Sequence, residues 1–136
     1  GRRAVLLIGK DPRNRMASLP DGVAAFEYAP YSDLFPRASA IVHQGGVGTT
    51  AQAMRAGKPM LIMPYGHDQP DNAARMRRLG IGRSISRGRF SASSAAAELK
   101  RLLGDPRYAR KAEEVGTQVR AEDGVGAACD AIEAVL

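Results

Sequence analysis

The chain has 136 residues, enough for one domain that buries a real core without disulfides or metals. Its hydrophobic content of 44%, charged content of 25% and fifteen glycines fit a soluble α/β protein, and no stretch is both apolar and long enough to span a bilayer. The formal charge of +6 leaves three classes of anionic partner open, namely nucleic acid, an anionic membrane face or a phosphorylated small ligand.

Short apolar runs at 4–9, 23–29, 40–43, 60–64 and roughly 82–86 are bounded by Gly, Pro, Asp or Asn, which predicts strands. The first connection, "KDPRNRMASLPDG", is rich in Pro, Asp and Asn without a helical period and reads as a loop. Segments of helical length follow at 32–38, 47–57 and 70–79, so strand and helix alternate. That alternation predicts a Rossmann-like α/β fold: a parallel sheet of five or six strands with helices on both faces.

After residue 90 three helical patterns follow. Ser91 is placed to cap "ASSAAAELKRLL", with Leu99, Leu102 and Leu103 on one side, and Asp105-Pro106 marks the next start by N-cap and first-turn proline. Tyr108, Ala112, Val115 and Val119 recur at helical spacing, as do Val125, Ala128, Cys129, Ile132 and Val135. Cys129 is the one cysteine, so no internal disulfide forms; its place in the last pattern predicts buried packing, and a reducing cytoplasm is the expected location. No secretory leader pattern opens the chain. Gly-Arg-Arg runs directly into the first strand, as expected of a fragment.

The richest stretch is "IVHQGGVGTTAQAMRAGKPMLIMPYGHDQPDN", residues 41 to 72. In a parallel α/β sheet, ligands sit beyond the carboxyl ends of the strands, where loops lead into helices. Here Gly45, Gly46 and Gly48 allow a tight turn and close approach of a ligand, and the start of the following helix favours an anion. A phosphate is the natural guest. Thr49 and Thr50 add hydroxyls at the helix start, and His43 can donate a ring N–H to a phosphate oxygen. Asp68 and Gln69 project from the next loop over the same edge, with groups suited to sugar hydroxyls. Taken singly, each has a plainer reading: His43 bonded to backbone, the glycines as a mere turn, Asp68 as a helix cap, Gln52 as an exposed helix residue.

Two rival readings compete. Gly46-Val47-Gly48-Thr49-Thr50-Ala51 satisfies the G-x-G-x-x-A turn of NAD(P)-binding domains, although two predicted strands precede it and no acidic residue closes the next strand to hold a ribose. The arginines at 75, 77, 78, 83, 87 and 89 raise a basic nucleic-acid-binding module, but only Phe90 interleaves with them and no nucleic-acid motif accompanies them.

From Tyr28 to Gly82 the chain resembles the C-terminal, nucleotide-sugar-binding half of family 1 glycosyltransferases of GT-B architecture, above all bacterial enzymes that act on macrolides and other natural products. The pattern His-x-Gly-Gly-x-Gly-Thr-Thr, then Gly-x-Pro, then Pro-x-x-x-Asp-Gln and a following Asn is matched term by term. The resemblance implies that His43, Gly48 and Thr49 bind the diphosphate of a UDP- or dTDP-sugar donor and that Asp68 and Gln69 meet the transferred sugar. It puts Tyr28 and Tyr31 at the base and Gln52 at the ribose; relatives often carry Trp, Gln and Glu there, so base selectivity stays open. It further implies an inverting transfer to a small-molecule hydroxyl acceptor, without an obligatory metal or other cofactor. The general base and most of the acceptor pocket belong to an N-terminal half not contained in these residues. On this reading residues 1–136 form a donor-binding domain with no catalytic base, no nucleic-acid partner and no membrane span.

Overall fold

The computed structural model describes residues 2–135 and divides the chain into two units, which meet in sequence between Leu34 and Phe35. In the first unit, β1 (Ala4–Leu7) pairs in parallel with β2 (Val23–Phe26), Ala4 opposite Val23 and Leu7 opposite Phe26. Parallel neighbours need a long crossover, which the Pro- and Asp-rich segment provides. That segment is not wholly irregular: Pro12–Asn14 form a 3₁₀ turn, with the Asp11 carboxylate accepting the Arg13 N–H at 2.9 Å. Asn14 Nδ2 donates to the Ile8 carbonyl at 2.8 Å, which ties the turn back to the end of β1. The unit closes with the single-turn helix α1 (Tyr31–Leu34).

The second unit opens with a 3₁₀ turn at Phe35–Arg37 and contains a parallel ladder in the order β3 (Ile41–His43), β4 (Met60–Ile62), β5 (Gly82–Ser84). Ile41 lies opposite Met60, and Met60 opposite Gly82. All three residues of β4 are buried, as a central parallel strand requires, which is why its run is apolar without alternation. Leu61 points to one face, where it joins Ile85 and Leu102 in a core bordered by Ala40, Ala95, Leu99 and Tyr108. On the other face a Cβ at Gly82 would lie 3.1 Å from that of Met76. Helices α3 (Gln69–Arg78) and α4 (Ala92–Gly104) therefore cover opposite faces, as expected. The strands are grouped differently from the expectation of one sheet: the pairings form a two-stranded and a three-stranded ladder, with no sixth strand among the described residues. Apolar periodicity identifies strands; it does not say which edges pair.

Helix α2 (Val47–Arg55) packs against α5 (Pro106–Ala121) so closely that a Cβ on Gly116 would sit 2.7 Å from the Cα of Gly57. Arg120 Nη1 donates to the Arg55 carbonyl at 2.8 Å across the same contact. The two predicted caps are present. Ser91 and Ser94 form a reciprocal capping box at α4, and the Asp105 side chain accepts the Arg107 N–H at 3.0 Å at α5. Arg83 of β5 pairs with Glu98 of α4 and also donates to Tyr108 Oη at 2.8 Å, so one side chain joins strand and both helices.

The last helix, α6 (Gly124–Glu133), is capped by Asp123, whose carboxylate accepts the Gly126 N–H at 2.9 Å. Its apolar residues do not pack as expected: Val125 is 78% exposed, Ile132 60%, and Cys129 is exposed rather than buried. A helical stripe shows which face wants a partner, and no described element covers this one. No described helix is long and apolar enough to cross a membrane.

Candidate functional site

Because β3, β4 and β5 run parallel, the loops that leave His43, Ile62 and Ser84 emerge at one edge of their ladder. The first of these loops is fixed by its own backbone. Gly45 has φ +95°, is buried, and approaches so closely that a Cβ would meet Ile62 Cγ2 at 2.8 Å; only glycine fits there. Its N–H donates to His43 Nδ1 at 3.0 Å. A neutral imidazole that accepts at Nδ1 carries its proton on Nε2. That Nε2 is covered from water and has no hydrogen-bond partner among the described residues. Burial pushes the His43 pKa down from 6.5 to about 4, so the ring is neutral at neutral pH. An orphaned buried donor costs roughly 1–3 kcal/mol, a cost that an incoming acceptor atom relieves.

Gly46 occupies the N-cap of α2 and offers no side chain to the first turn. Helix geometry leaves the N–H groups of Val47, Gly48 and Thr49 without intrahelical acceptors, at the positive end of the helix. Gly48 is exposed, with nothing within 4 Å of where a Cβ would stand. The two threonines separate here. Thr49 is half-buried and its hydroxyl makes no hydrogen bond among the described residues, whereas Thr50 is 5% exposed and donates to the Gly46 carbonyl at 2.9 Å. Thr50, expected to offer a hydroxyl outward, instead ties the turn together, because position i+4 of the turn faces the carbonyl it completes.

In the second loop, Gln69 Oε1 accepts the Tyr65 N–H at 2.8 Å, so the carbonyl end of this side chain braces its own loop and only the amide nitrogen is left to face a ligand. His67, exposed, takes the left-handed conformation at φ 57°. Asp68 stands at the N-cap of α3 without making a side-chain cap; its Oδ2 accepts Asn72 Nδ2 at 2.7 Å. The same Nδ2 donates to the Gly45 carbonyl at 2.9 Å. Asn72 thus joins the two loops, a role that its place in the sequence pattern did not disclose. From the third loop, Arg87 lies 4.9 Å from the centre of the Tyr65 ring, a cation–π contact.

His43, Gly45, Gly46, Gly48 and Thr49 therefore fall in one turn; Asp68 is joined to that turn through Asn72, and the backbone oxygen of Gln69 lies 3.3 Å from where a Cβ on Gly45 would stand. Gln52 is exposed on α2, three and four positions beyond Thr49 and Gly48 and so on their side of the helix. Tyr28, 76% exposed, and Tyr31 belong to the first unit. The arginine cluster is broken up: Arg75 pairs with Asp71 on its own helix at 2.6 Å and Arg83 with Glu98. Among the described residues no three His, Cys, Asp or Glu side chains gather as metal ligands would.

Comparison with known proteins bears on this arrangement. The family model described as erythromycin biosynthesis protein CIII-like, C-terminal domain, matches residues 2–128. The chain is 41% identical over 133 residues to an O-mycaminosyltylonolide 6-deoxyallosyltransferase of Streptomyces fradiae, covering 97% of this chain and 31% of that protein. Among solved structures, the glycosyltransferase of kitacinnamycin matches at a TM-score of 0.87 with 30% identity, over 98% of this chain and 35% of its own. The glycosyltransferase VinC, solved in complex with dTDP, matches at 0.74 with 32% identity, over 77% of this chain and 27% of its own. The chain spans about a third of the length of these relatives. By sequence and by fold alike, it belongs to the erythromycin biosynthesis protein CIII-like C-terminal domains, the C-terminal half of family 1 GT-B glycosyltransferases.

Proposed function

We propose that residues 1–136 form the donor-binding domain of an inverting glycosyltransferase, taking a UDP- or dTDP-sugar and presenting it to a small-molecule hydroxyl acceptor held by residues outside this chain. The observation that carries the reading is the state of His43. With Nδ1 engaged by the Gly45 N–H, the remaining ring proton is on Nε2, unpartnered, in the turn that leads to the open amides of α2. A diphosphate oxygen is the acceptor this donor set suits. Because Nε2 is covered, an oxygen reaches it only as the cover gives way, so binding includes a local opening. The similarity to VinC, whose structure holds dTDP, supports a nucleoside diphosphate as guest.

In the proposed reaction, a deprotonated acceptor oxygen bonds to the anomeric carbon as the bond from that carbon to the diphosphate oxygen breaks, with inversion. Negative charge grows on the diphosphate, where His43 Nε2–H, the hydroxyl of Thr49 and the amides of Val47, Gly48 and Thr49 stabilise it. Gly45 and Gly46 shape the turn that lets the backbone come close. Asp68 and the Gln69 amide nitrogen hold the sugar hydroxyls, and Gln52 takes the ribose. The base that deprotonates the acceptor is assigned to residues outside this chain, so these 136 residues alone bind donor and transfer little or nothing. No metal has a role in the scheme. The nicotinamide and nucleic-acid readings gain no support from the matched family, and two of the arginines behind the latter are held in ion pairs.

The test is calorimetric titration of the chain with UDP, dTDP, their glucose conjugates and NADH, with amide shifts followed by NMR. Binding of a nucleoside diphosphate that perturbs residues 43 to 50, and its weakening in His43→Ala, is the expected result. Binding of NADH in preference to both diphosphates, or robust transfer to an added acceptor, would overturn it.

A further inference from the structure

The loops after β3 and β4 come from distant parts of the chain, and one side chain holds them together. Asn72 lies 27 positions from Gly45, yet its carboxamide nitrogen bonds the Gly45 carbonyl at 2.9 Å and Asp68 Oδ2 at 2.7 Å. A carboxamide nitrogen carries two protons, and both are accounted for. The orientation of the amide follows from this, since the flipped form would set its oxygen against two other oxygens. On its far side Gly45 donates its N–H to His43 Nδ1 at 3.0 Å. A continuous path thus runs from imidazole to Gly45, from Gly45 to Asn72, and from Asn72 to the carboxylate of Asp68.

Two features make this more than satisfaction of a stray carbonyl. Asp68 sits where an N-cap side chain would ordinarily turn inward to the first helical amides, and it makes no such bond; its carboxylate turns instead to Asn72, one helical turn on. With Oδ2 taken by the amide, one carboxylate oxygen remains for another partner. Asp68 is itself exposed, so without Asn72 its side chain would be free to rotate in water.

We infer that Asn72 is a positioning residue: it fixes the outward oxygen of Asp68 while pinning the Gly45 carbonyl, so that the sugar and diphosphate subsites are set as one rigid pair. The inference rests on the donor-binding reading above. It goes further by assigning selectivity for the sugar-bearing nucleotide over the bare nucleotide to a residue that touches neither.

The test compares affinities for UDP and UDP-glucose, and for dTDP and dTDP-glucose, in wild type, Asn72→Ala, Asp68→Ala and the double variant, using the tighter pair. Asn72→Ala is expected to lower the preference for the sugar nucleotide roughly tenfold, the worth of a charge-assisted hydrogen bond. In the Asp68→Ala background the same change is expected to alter that preference by less than about twofold, because the residue through which it acts is gone. An Asn72→Ser variant, uncharged and too short to bridge both oxygens, replaces Asn72→Ala if the latter fails to fold, with the same expectation. A full tenfold loss in the Asp68→Ala background, or equal weakening of nucleotide and sugar nucleotide, would show that Asn72 merely supports the fold. A wild-type chain that binds neither diphosphate takes down the donor reading and this inference with it, and is seen before any variant is compared.

Discussion

The backbone N–H of Gly45 donates to Nδ1 of His43 at 3.0 Å, and this one bond decides which ring nitrogen carries the proton of the neutral imidazole. Burial also makes the ring a proton sensor. The folded His43 has its pKa lowered from 6.5 to about 4 by burial, so the native state binds fewer protons than the unfolded chain between those values. Its contribution to stability is complete above about pH 6.5 and is lost as the pH falls toward 4, by up to roughly 3 kcal/mol. Urea unfolding between pH 4 and 7 is expected to show this fall in wild type and a shallower one in His43→Gln. Identical slopes for the two proteins would mean that the ring is not held in its neutral form.

The glycines of the turn are not equivalent. Gly45→Ala places a Cβ 2.8 Å from Ile62 Cγ2 on a backbone at φ +95°, and is expected to cost roughly 2–4 kcal/mol of stability. Gly48→Ala meets nothing within 4 Å and sits in the first turn of α2, so it is expected to stabilise the fold by roughly 0.5–1 kcal/mol. Its methyl group nevertheless stands at the mouth of the helix, and nucleotide affinity is expected to fall at least tenfold. Thermal unfolding together with calorimetry reads both effects; a Gly48→Ala chain that binds like wild type would remove the helix mouth from the site.

Thr49 and Thr50 give opposite expectations. Thr49→Ala is expected to weaken nucleotide binding several-fold with little change in stability, since its hydroxyl has no partner among the described residues. Thr50→Ala removes the buried bond to the Gly46 carbonyl and is expected to cost roughly 1–2 kcal/mol of stability. Chemical unfolding of both, beside their affinities, checks the separation. Equal stability losses would argue that both hydroxyls serve the fold.

Arg83 binds Glu98 from the adjacent helix, and this bond holds the Glu98 carboxyl below its usual range against the opposing effect of burial. Stability from the pair is present above the ordinary carboxylate range and is lost as the pH falls through the lowered value. Arg83→Met also breaks the bond to Tyr108 and leaves Glu98 largely buried without its main partner. It is expected to cost roughly 2–4 kcal/mol, and Glu98→Gln less, because the amide still accepts from the guanidinium. Urea midpoints for the two variants check the order; a larger loss for Glu98→Gln would reverse it.

Much of this architecture was legible in the residues. The apolar run at 60–64 marked a strand, Ser91 and Asp105 marked helix starts by their chemistry, and the glycines after His43 marked a turn at a strand's end. Contacts set by three-dimensional proximity were not legible. Thr49 and Thr50 are neighbours in sequence about 100° apart on a helix, and only the position of the Gly46 carbonyl tells which turns inward. Nothing near Gln69 in the sequence shows that its oxygen accepts the Tyr65 N–H, and Asn72 reaches Gly45 across a whole strand. The apolar stripe of α6 is present in the periodicity; burial needs a partner, which periodicity does not supply.

The near-contact of Gly57 and Gly116 has a consequence for the opposite end of α2. A helix of nine residues is a stiff rod roughly 13 Å long, and here its heel is clamped against another backbone while its toe carries the open amides. Any side chain added at Gly116 works as a wedge under the heel and swings the toe off target. The aim of Val47, Gly48 and Thr49 is thus kept some two and a half turns away, by the absence of two atoms.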